Sequence, residues 1–264
     1  MSSSSVENSF EGVEALQGFT DLGQLNSYRQ ARLSQMRLRS DWLVELVTRS
    51  KSCSILDIGA GSSALLYSAE ESGKLSYGIA IEPALSRHVF AEKWKEDCGF
   101  QKVTNLHGYF DDVPITRTVD LVSCLDNTLS YILAQDVNGA ISRLLVRAGA
   151  WLVDDGFLVI EVLDYGRRPL WKKRVEMEQS DRFLYAEYLI KLQDDGTVYS
   201  ESVYLPRNKS SSIKKVDAAA YVPPAKLMEE LKTAGFIVHL VPDALPWVGL
   251  EDFPRTVIVA RKCS

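Results

Sequence analysis

The stretch Cys53-Ser-Ile-Leu-Asp-Ile-Gly-Ala-Gly-Ser-Ser63 decides the fold, because it joins a buried-strand pattern to a glycine turn and then to a helix. Ile55, Leu56 and Ile58 form a short apolar run suited to a strand covered on both faces. Gly59 and Gly61 end the run where the backbone needs access to positive φ. Asp57 is the odd residue. A carboxylate on a central strand is costly to bury unless something polar meets it, so it is expected to point out of the strand's carboxyl end, toward a ligand or loop amides. A helix from about Ser63 to Glu71 would aim its unpaired amides at the same place. The pattern reads as a nucleotide-type cofactor site.

The turn departs from the dinucleotide fingerprint G-x-G-x-x-G: Gly-Ala-Gly-Ser-Ser-Ala leaves only Ala64 where the third glycine would stand. The segment Leu56-Asp-Ile-Gly-Ala-Gly61 instead resembles the first motif of class I S-adenosylmethionine-dependent methyltransferases, an apolar residue followed by D/E-x-G-x-G. That resemblance implies a Rossmann-like α/β fold with a doubly wound, mostly parallel seven-stranded sheet. It also implies S-adenosyl-L-methionine as cofactor, held by Asp57, Gly59, Ala60 and Gly61. The next strand, Leu75-Ser-Tyr-Gly-Ile-Ala-Ile81, ends in Glu82-Pro83. A carboxylate there can accept hydrogen bonds from both hydroxyls of a ribose, so Glu82 and Pro83 join the expected cofactor site.

A chain of 264 residues suits one elaborated domain. The net charge of -5 argues against gripping nucleic acid by counterion release. Cys53, Cys98, Cys124 and Cys263 form no C-x-x-C pair and read as reduced residues of a cytoplasmic protein, with no metal site. The serine-rich start has no apolar core of a secretory signal, and residues 1–20 are expected to form a mobile tail ahead of a methyltransferase domain over 21–264. No apolar run reaches the length of a membrane span, since Ala150 to Val162 is broken by Asp154 and Asp155.

From about Leu25 to Arg49, Leu33, Met36, Trp42, Leu43, Leu46 and Val47 recur at helical spacing, with Arg29, Arg32, Arg37 and Arg39 assigned to other faces. Such arginines usually form a solvated face. Glycine N-methyltransferase-like members of the family use an arginine ahead of the first strand for the cofactor's carboxylate, so the resemblance implies that role for one of these arginines, with Arg37 the candidate and the correspondence left open. A helix from Ala84 to Cys98 follows Pro83, and Val103 to His107 is the third strand. In the loop Gly108-Tyr-Phe-Asp-Asp-Val-Pro114, relatives place an acid against the adenine amino group; here that contact falls to Asp111, to Asp112 or to the Phe110 backbone.

The fourth strand, Val119 to Leu125, runs into Asp126-Asn-Thr-Leu-Ser-Tyr-Ile132. This stretch resembles the G-N-S-L-x-H-L loop of glycine N-methyltransferase-like enzymes, with Asp126 for glycine and Tyr131 for histidine. The family's loop faces the transferred methyl group, which implies Leu125 at the cofactor, Asn127 at the acceptor and Asp126 and Tyr131 at the chemistry. N-P-P-[YFW], the signature of adenine or glutamine methylation, is missing. A helix from Val137 to Trp151 leads to the fifth strand, Asp155 to Val162, and Leu163-Asp-Tyr-Gly-Arg167 partly resembles D-x-R-N-Y of the same enzymes, which places Tyr165 near the acceptor. Strands alternating with helical patterns support the parallel sheet independently of any resemblance.

Arg182 to Leu205 alternates around Asp195-Gly196 and reads as an antiparallel hairpin, part of a cap inserted at about 164–222. Trp171, Tyr185, Tyr188, Tyr199 and Tyr204 would wall that cap, with Tyr185 and Tyr204 the candidates for acceptor contact. Asn208 to Lys215 reads as a polar basic loop. The chain closes with a helix, Pro224 to Ala234, a strand, Gly235 to Val241, and a last antiparallel strand, Thr256 to Arg261.

The expected function is methyl transfer from S-adenosylmethionine to a small-molecule amine or hydroxyl, by alignment of nucleophile, methyl and sulfur and exclusion of water. If a hydroxyl needs a base, Tyr131, His107, Asp126 and Asp164 are candidates by position. A nicotinamide-dependent reductase and a non-catalytic S-adenosylmethionine-binding protein are the alternatives. Neither nucleic acid nor membrane is an expected partner, and a homodimer is compatible with the sequence.

Overall fold

The computed structural model describes residues 22–47, 52–136, 139–176, 183–208, 211–242 and 253–263. The expected tail lies outside them. Helix α1 (Leu22–Val47) leads into β1 (Cys53–Ile58), α2 (Ala64–Glu71), β2 (Leu75–Glu82), α3 (Leu85–Cys98), β3 (Val103–His107) and β4 (Val119–Cys124). Two helices follow, α4 (Thr128–Gln135) and α5 (Ala140–Trp151), and then β5 (Leu152–Leu163). The chain next forms β6 (Leu170–Glu176), β7 (Phe183–Leu192), β8 (Thr197–Pro206) and β9 (Ile213–Ala220), and it ends in α6 (Pro224–Thr233), β10 (Phe236–Pro242) and β11 (Arg255–Lys262).

Seven strands form one sheet in the order β10-β11-β5-β4-β1-β2-β3. Only β11 opposes its neighbours, pairing antiparallel with both β10 and β5. All six residues of β1 are buried, as the apolar run predicts, because the sheet carries a core on each face. One core packs α5 and α6 against the sheet through residues such as Leu144, Trp151, Leu227 and Phe236. The other packs α1, α2 and α3 through Leu33, Leu43, Leu66 and Trp94. Strand order reverses at β1, with β2 on one side and β4 on the other. An open α/β sheet offers a crevice at the carboxyl ends of its strands where this happens.

The second sheet, in the order β6-β7-β8-β9, is antiparallel throughout. It contains the expected hairpin, turning at Asp195-Gly196 with Gly196 at φ +83. It is larger than the sequence reading, which left β6 unassigned and took Asn208 to Lys215 for a loop. Ile213 pairs with Tyr204 and Lys215 with Ser202, so the basic stretch continues the sheet. Exposed Lys214 and Val216 alternate with half-buried Lys215 and Asp217, and that period is obscured when lysine occupies both faces. The four cysteines carry no disulfide, and no helix among the described residues is long and apolar enough to cross a membrane.

Candidate functional site

A cleft opens at the carboxyl ends of β1, β2, β3 and β4. Its walls include Ile58 to Ser62 after β1, Ile81 to Pro83 after β2, Gly108 to Phe110 after β3 and Leu125, Asp126, Thr128, Tyr131 and Ile132 after β4. Helix α1 adds Arg32, Met36 and Arg39, and α3 adds Arg87.

The glycine turn is built as a cradle. Gly59 stands at φ +70 and Gly61 at φ +57, values that L side chains rarely adopt. At Gly59 a second constraint applies, since an added Cβ would lie 2.4 Å from Cγ2 of Thr128 at the start of α4. The turn is tied to β2 because the Gly59 and Ala60 amides donate to the Ile81 carbonyl at 2.9 and 3.0 Å. Glu82 completes the tie. Its Oε2 accepts the Gly61 amide at 2.7 Å and its Oε1 the Ala84 amide at 2.9 Å. A buried carboxylate is thereby compensated by two backbone donors.

Asp57 is also buried, and Oγ of Ser123 on β4 donates to its Oδ1 at 2.7 Å. Loss of hydration pushes its carboxyl up to about 7, the Ser123 bond pulls it back, and the nearby Asp126 charge pushes it further up. The expected carboxylate at the strand's end is therefore poised to ionise when a cation arrives.

Asp126 follows β4 with its side chain 50% exposed, lining the cleft. Its Oδ1 accepts a hydrogen bond from an Arg39 guanidinium nitrogen at 2.5 Å. Arg39 is 1% exposed and also pairs with Glu161 of β5, which is fully buried. Burial pushes the Asp126 carboxyl up, but the charge and hydrogen bond of Arg39, with the charges of Arg32 and Arg87, outweigh it and hold the group below the usual carboxylate range. Tyr131 lines the cleft and packs against the buried cluster of Tyr165, Trp171, Ile190 and Ala219, and loss of hydration with the Asp217 charge pushes its hydroxyl up to about 12.

Of the residues expected from the sequence, Asp57, Gly59, Ala60, Gly61, Glu82, Pro83, Phe110, Leu125, Asp126 and Tyr131 meet at this cleft. The others do not. Arg37 points away and pairs with Glu71 in an exposed ion pair. Asp111 is taken by Arg143 at 2.9 Å. Asn127 turns inward: its side-chain amide donates to the Tyr165 hydroxyl at 2.6 Å, and its oxygen accepts the Ser130 hydroxyl at 2.7 Å. Both Asn127 and Tyr165 are buried and serve the core. Tyr185 lies under the Arg174 guanidinium, 3.5 Å from its ring centroid, and Tyr204 is buried against Phe183 and Tyr188. Among the base candidates, Asp164 accepts the Tyr221 hydroxyl and His107 meets the Pro83 carbonyl; neither lines the cleft.

Arg87 and Glu161 carry no signal in the sequence reading, and Arg32 and Arg39 enter it only as members of an arginine-rich face. A signal existed for Arg39. Arg29, Leu33, Met36, Arg39, Leu43 and Val44 share the buried side of α1 at spacings of three and four, with arginine embedded in the apolar stripe.

No protein-family model matches the chain, and no curated protein sequence does. Solved structures do. An S-adenosylmethionine-dependent methyltransferase from Clostridium acetobutylicum is similar at 13% identity and TM-score 0.69, over 85% of this chain and 91% of that one. The amino pentose methyltransferase CalS10 of calicheamicin biosynthesis from Micromonospora echinaspora, determined with S-adenosylmethionine bound, is similar at 15% identity and TM-score 0.69, over 92% and 98%. The sugar N-methyltransferase KedS8 from a Streptoalloteichus species is similar at 19% identity and TM-score 0.64, over 87% and 88%. The chain has the fold of these class I methyltransferases.

Proposed function

We propose that this protein transfers a methyl group from S-adenosylmethionine to a small-molecule amine. One observation carries the reading: a cradle made of Asp57, Gly59, Gly61 and Glu82 lies in the same cleft as a carboxylate, Asp126, held ionised. The cradle fits the cofactor. Gly59 and Gly61 leave the turn without side chains, the Glu82 carboxylate lines the cleft at the end of β2 where a ribose would meet it, and Asp57 faces the cleft as a match for the methionine ammonium. Arg32 is the arginine we assign to the cofactor's carboxylate, in place of Arg37. Bound there, S-adenosylmethionine supplies an already activated methyl group.

The chain's own part is alignment and charge. Asp126 can hold an ammonium or a polarised N–H through Oδ2, and as a carboxylate of lowered proton affinity it keeps the amine in place without taking its proton. A hydroxyl acceptor would need a base, and the Tyr131 hydroxyl, pushed up to about 12, is poorly matched to that task near neutral pH. An amine reaches its nucleophilic form by losing a proton to water. Helix α4 packs Tyr131 against the inner face of the second sheet, and we read that sheet as the acceptor-side cap. The reductase alternative finds no support among the neighbours.

Calorimetry with S-adenosylmethionine and S-adenosylhomocysteine tests the cradle, and methyl transfer from labelled S-adenosylmethionine to a panel of amines and alcohols, amino sugars included, tests the acceptor. Absence of binding, or transfer to alcohols alone, overturns the reading. Glu82→Gln is expected to weaken cofactor binding by roughly 1 to 3 kcal/mol, because the new amide would turn a donor toward the Gly61 or Ala84 N–H. Wild-type affinity in that variant removes Glu82 from the site. Asp126→Asn is expected to lower kcat/KM for the best amine roughly tenfold or more while leaving S-adenosylhomocysteine affinity nearly unchanged. Equal losses of both would place Asp126 at the cofactor.

A further inference from the structure

We infer that Arg39 is a positioning residue: with Glu161 it fixes the backbone and side chain of Asp126 so that one carboxylate oxygen faces the cleft. The inference rests on the reading of Asp126 as the acceptor-side carboxylate. Asp126 and Asn127 stand in succession at φ +51 and +61, in the left-handed region, which aspartate and asparagine tolerate best among residues with a side chain but usually one at a time. Two in a row are held here by side-chain and backbone partners.

Asn127 is locked by Tyr165, Ser130 and the Leu163 amide, which donates to its oxygen at 3.4 Å. Asp126 is locked by a closed ring of polar contacts. One Arg39 nitrogen donates to Asp126 Oδ1 and another to Glu161 Oε2. The same Glu161 oxygen accepts the Asp126 backbone N–H at 3.0 Å. The other Glu161 oxygen stands 3.7 Å from Arg255 Nε on β11, within ion-pair reach but without a hydrogen bond. Three elements far apart in sequence, α1, the end of β4 and β5, are thus tied at one residue. Oδ2 of Asp126 accepts no hydrogen bond from the described residues and is the oxygen left for a ligand.

Burying such a pair seldom adds net stability compared with an apolar replacement, so its use here is conformational. Arg39 has one end on Asp126 and another on Glu161, and the planar fork that permits this is what lysine lacks.

The test measures the Asp126 carboxyl directly, by carbon-detected NMR titration of aspartate-labelled full-length protein, assigned with Asp126→Asn. Arg39→Met is expected to raise its proton affinity at least tenfold, and Arg39→Lys to raise it by less. S-adenosylhomocysteine affinity is expected to stay within threefold in Arg39→Met. An unchanged Asp126 titration overturns the inference, and a tenfold loss of S-adenosylhomocysteine affinity overturns it too, by making Arg39 a cofactor ligand. If Arg39→Met does not fold, the double variant Arg39→Met/Glu161→Met removes both buried charges together, and a smaller rise in Asp126 is expected because the like charge of Glu161 goes with the arginine; an unchanged titration there overturns the inference in the same way. Failure of wild-type protein to bind S-adenosylhomocysteine sinks the methyltransferase reading, while the Asp126 titration still decides the role of Arg39.

Discussion

Gly59→Ala is expected to abolish measurable S-adenosylhomocysteine binding while most of the sheet still forms. The φ of +70 alone costs an alanine about 1 to 2 kcal/mol. The larger effect is steric. A Cβ built at Gly59 lies 2.4 Å from Cγ2, 2.5 Å from Oγ1 and 3.0 Å from Cβ of Thr128, so either the turn or the start of α4 must move. Both line the cleft. The first is anchored to the Ile81 carbonyl and the second to the Leu125 carbonyl, so the strain passes into the cradle and the Asp126 loop together. Thr128→Ala removes the two closest atoms and is expected to return part of the lost affinity in the double variant, with a coupling of roughly 1 kcal/mol or more. Full affinity in Gly59→Ala would mean that the turn relaxes at no cost and is no cradle. Additive losses would mean that the contact with α4 is incidental.

Why the cradle could be read from sequence while its opposite wall could not follows from how each is built. Leu56 to Gly61 and Ile79 to Pro83 are contiguous, their apolar runs specify a strand buried on both faces, and the special backbone falls on glycine, which announces it. Parallel pairing of β1 with β2 then brings Glu82 to Gly61 with no further information. Asp126 was legible as a place after a strand and, through the loop it resembles, as a residue beside the transferred methyl, but what holds it was not. What holds it is Arg39, 87 residues away, and Glu161, 35 residues away, and no local period connects them. Arg37 and Arg39 differ by two positions on a helix, which turns one toward Glu71 and the other into the core. Residue type alone predicts a solvated face for these arginines, and the structure departs from it at Arg29 as well as at Arg39. Arg29 is buried, with its guanidinium near the Phe90 and Trp94 rings and bonded to Asp97.

The aromatic residues of the second sheet show a different limit. Alternation correctly predicted the hairpin, but the register decides which tyrosines face inward. Tyr204 and Tyr188 share a face and touch each other, whereas Tyr185 pairs with Glu176 and Leu205 and comes to lie under Arg174. A tyrosine carries enough apolar area to fill a core whenever its hydroxyl finds a partner, so residue type could not separate the wall of an acceptor site from packing. Tyr165, bonded to Asn127, is the plainest case.

Asp57→Asn is expected to make the ligand-free protein more stable at pH 8 and to weaken it as a binder of S-adenosylmethionine. In the folded chain the Asp57 carboxyl is pushed up to about 7, well above its ordinary value of 3.8. Below about pH 4 the group is protonated in both folded and unfolded states and has no effect on stability. As the pH rises toward 7 the unfolded chain ionises and the folded one does not, so wild-type stability falls across that window, by up to roughly 4 kcal/mol once the pH is above 7. Asparagine cannot ionise and keeps an oxygen for the Ser123 hydroxyl. Urea unfolding should therefore show a variant close to wild type at pH 4 and more stable by a few kcal/mol at pH 8. Binding has the opposite sign, since a cationic ligand in the cleft favours the ionised carboxylate. Wild-type affinity for S-adenosylmethionine should rise between pH 6 and pH 8, whereas the variant's should be weaker and nearly flat. A variant no more stable than wild type at pH 8, or one whose affinity still rises with pH, would show that Asp57 is already ionised in the empty cleft. In that case Ser123 and Arg39 would stabilise its charge far better than their placement implies.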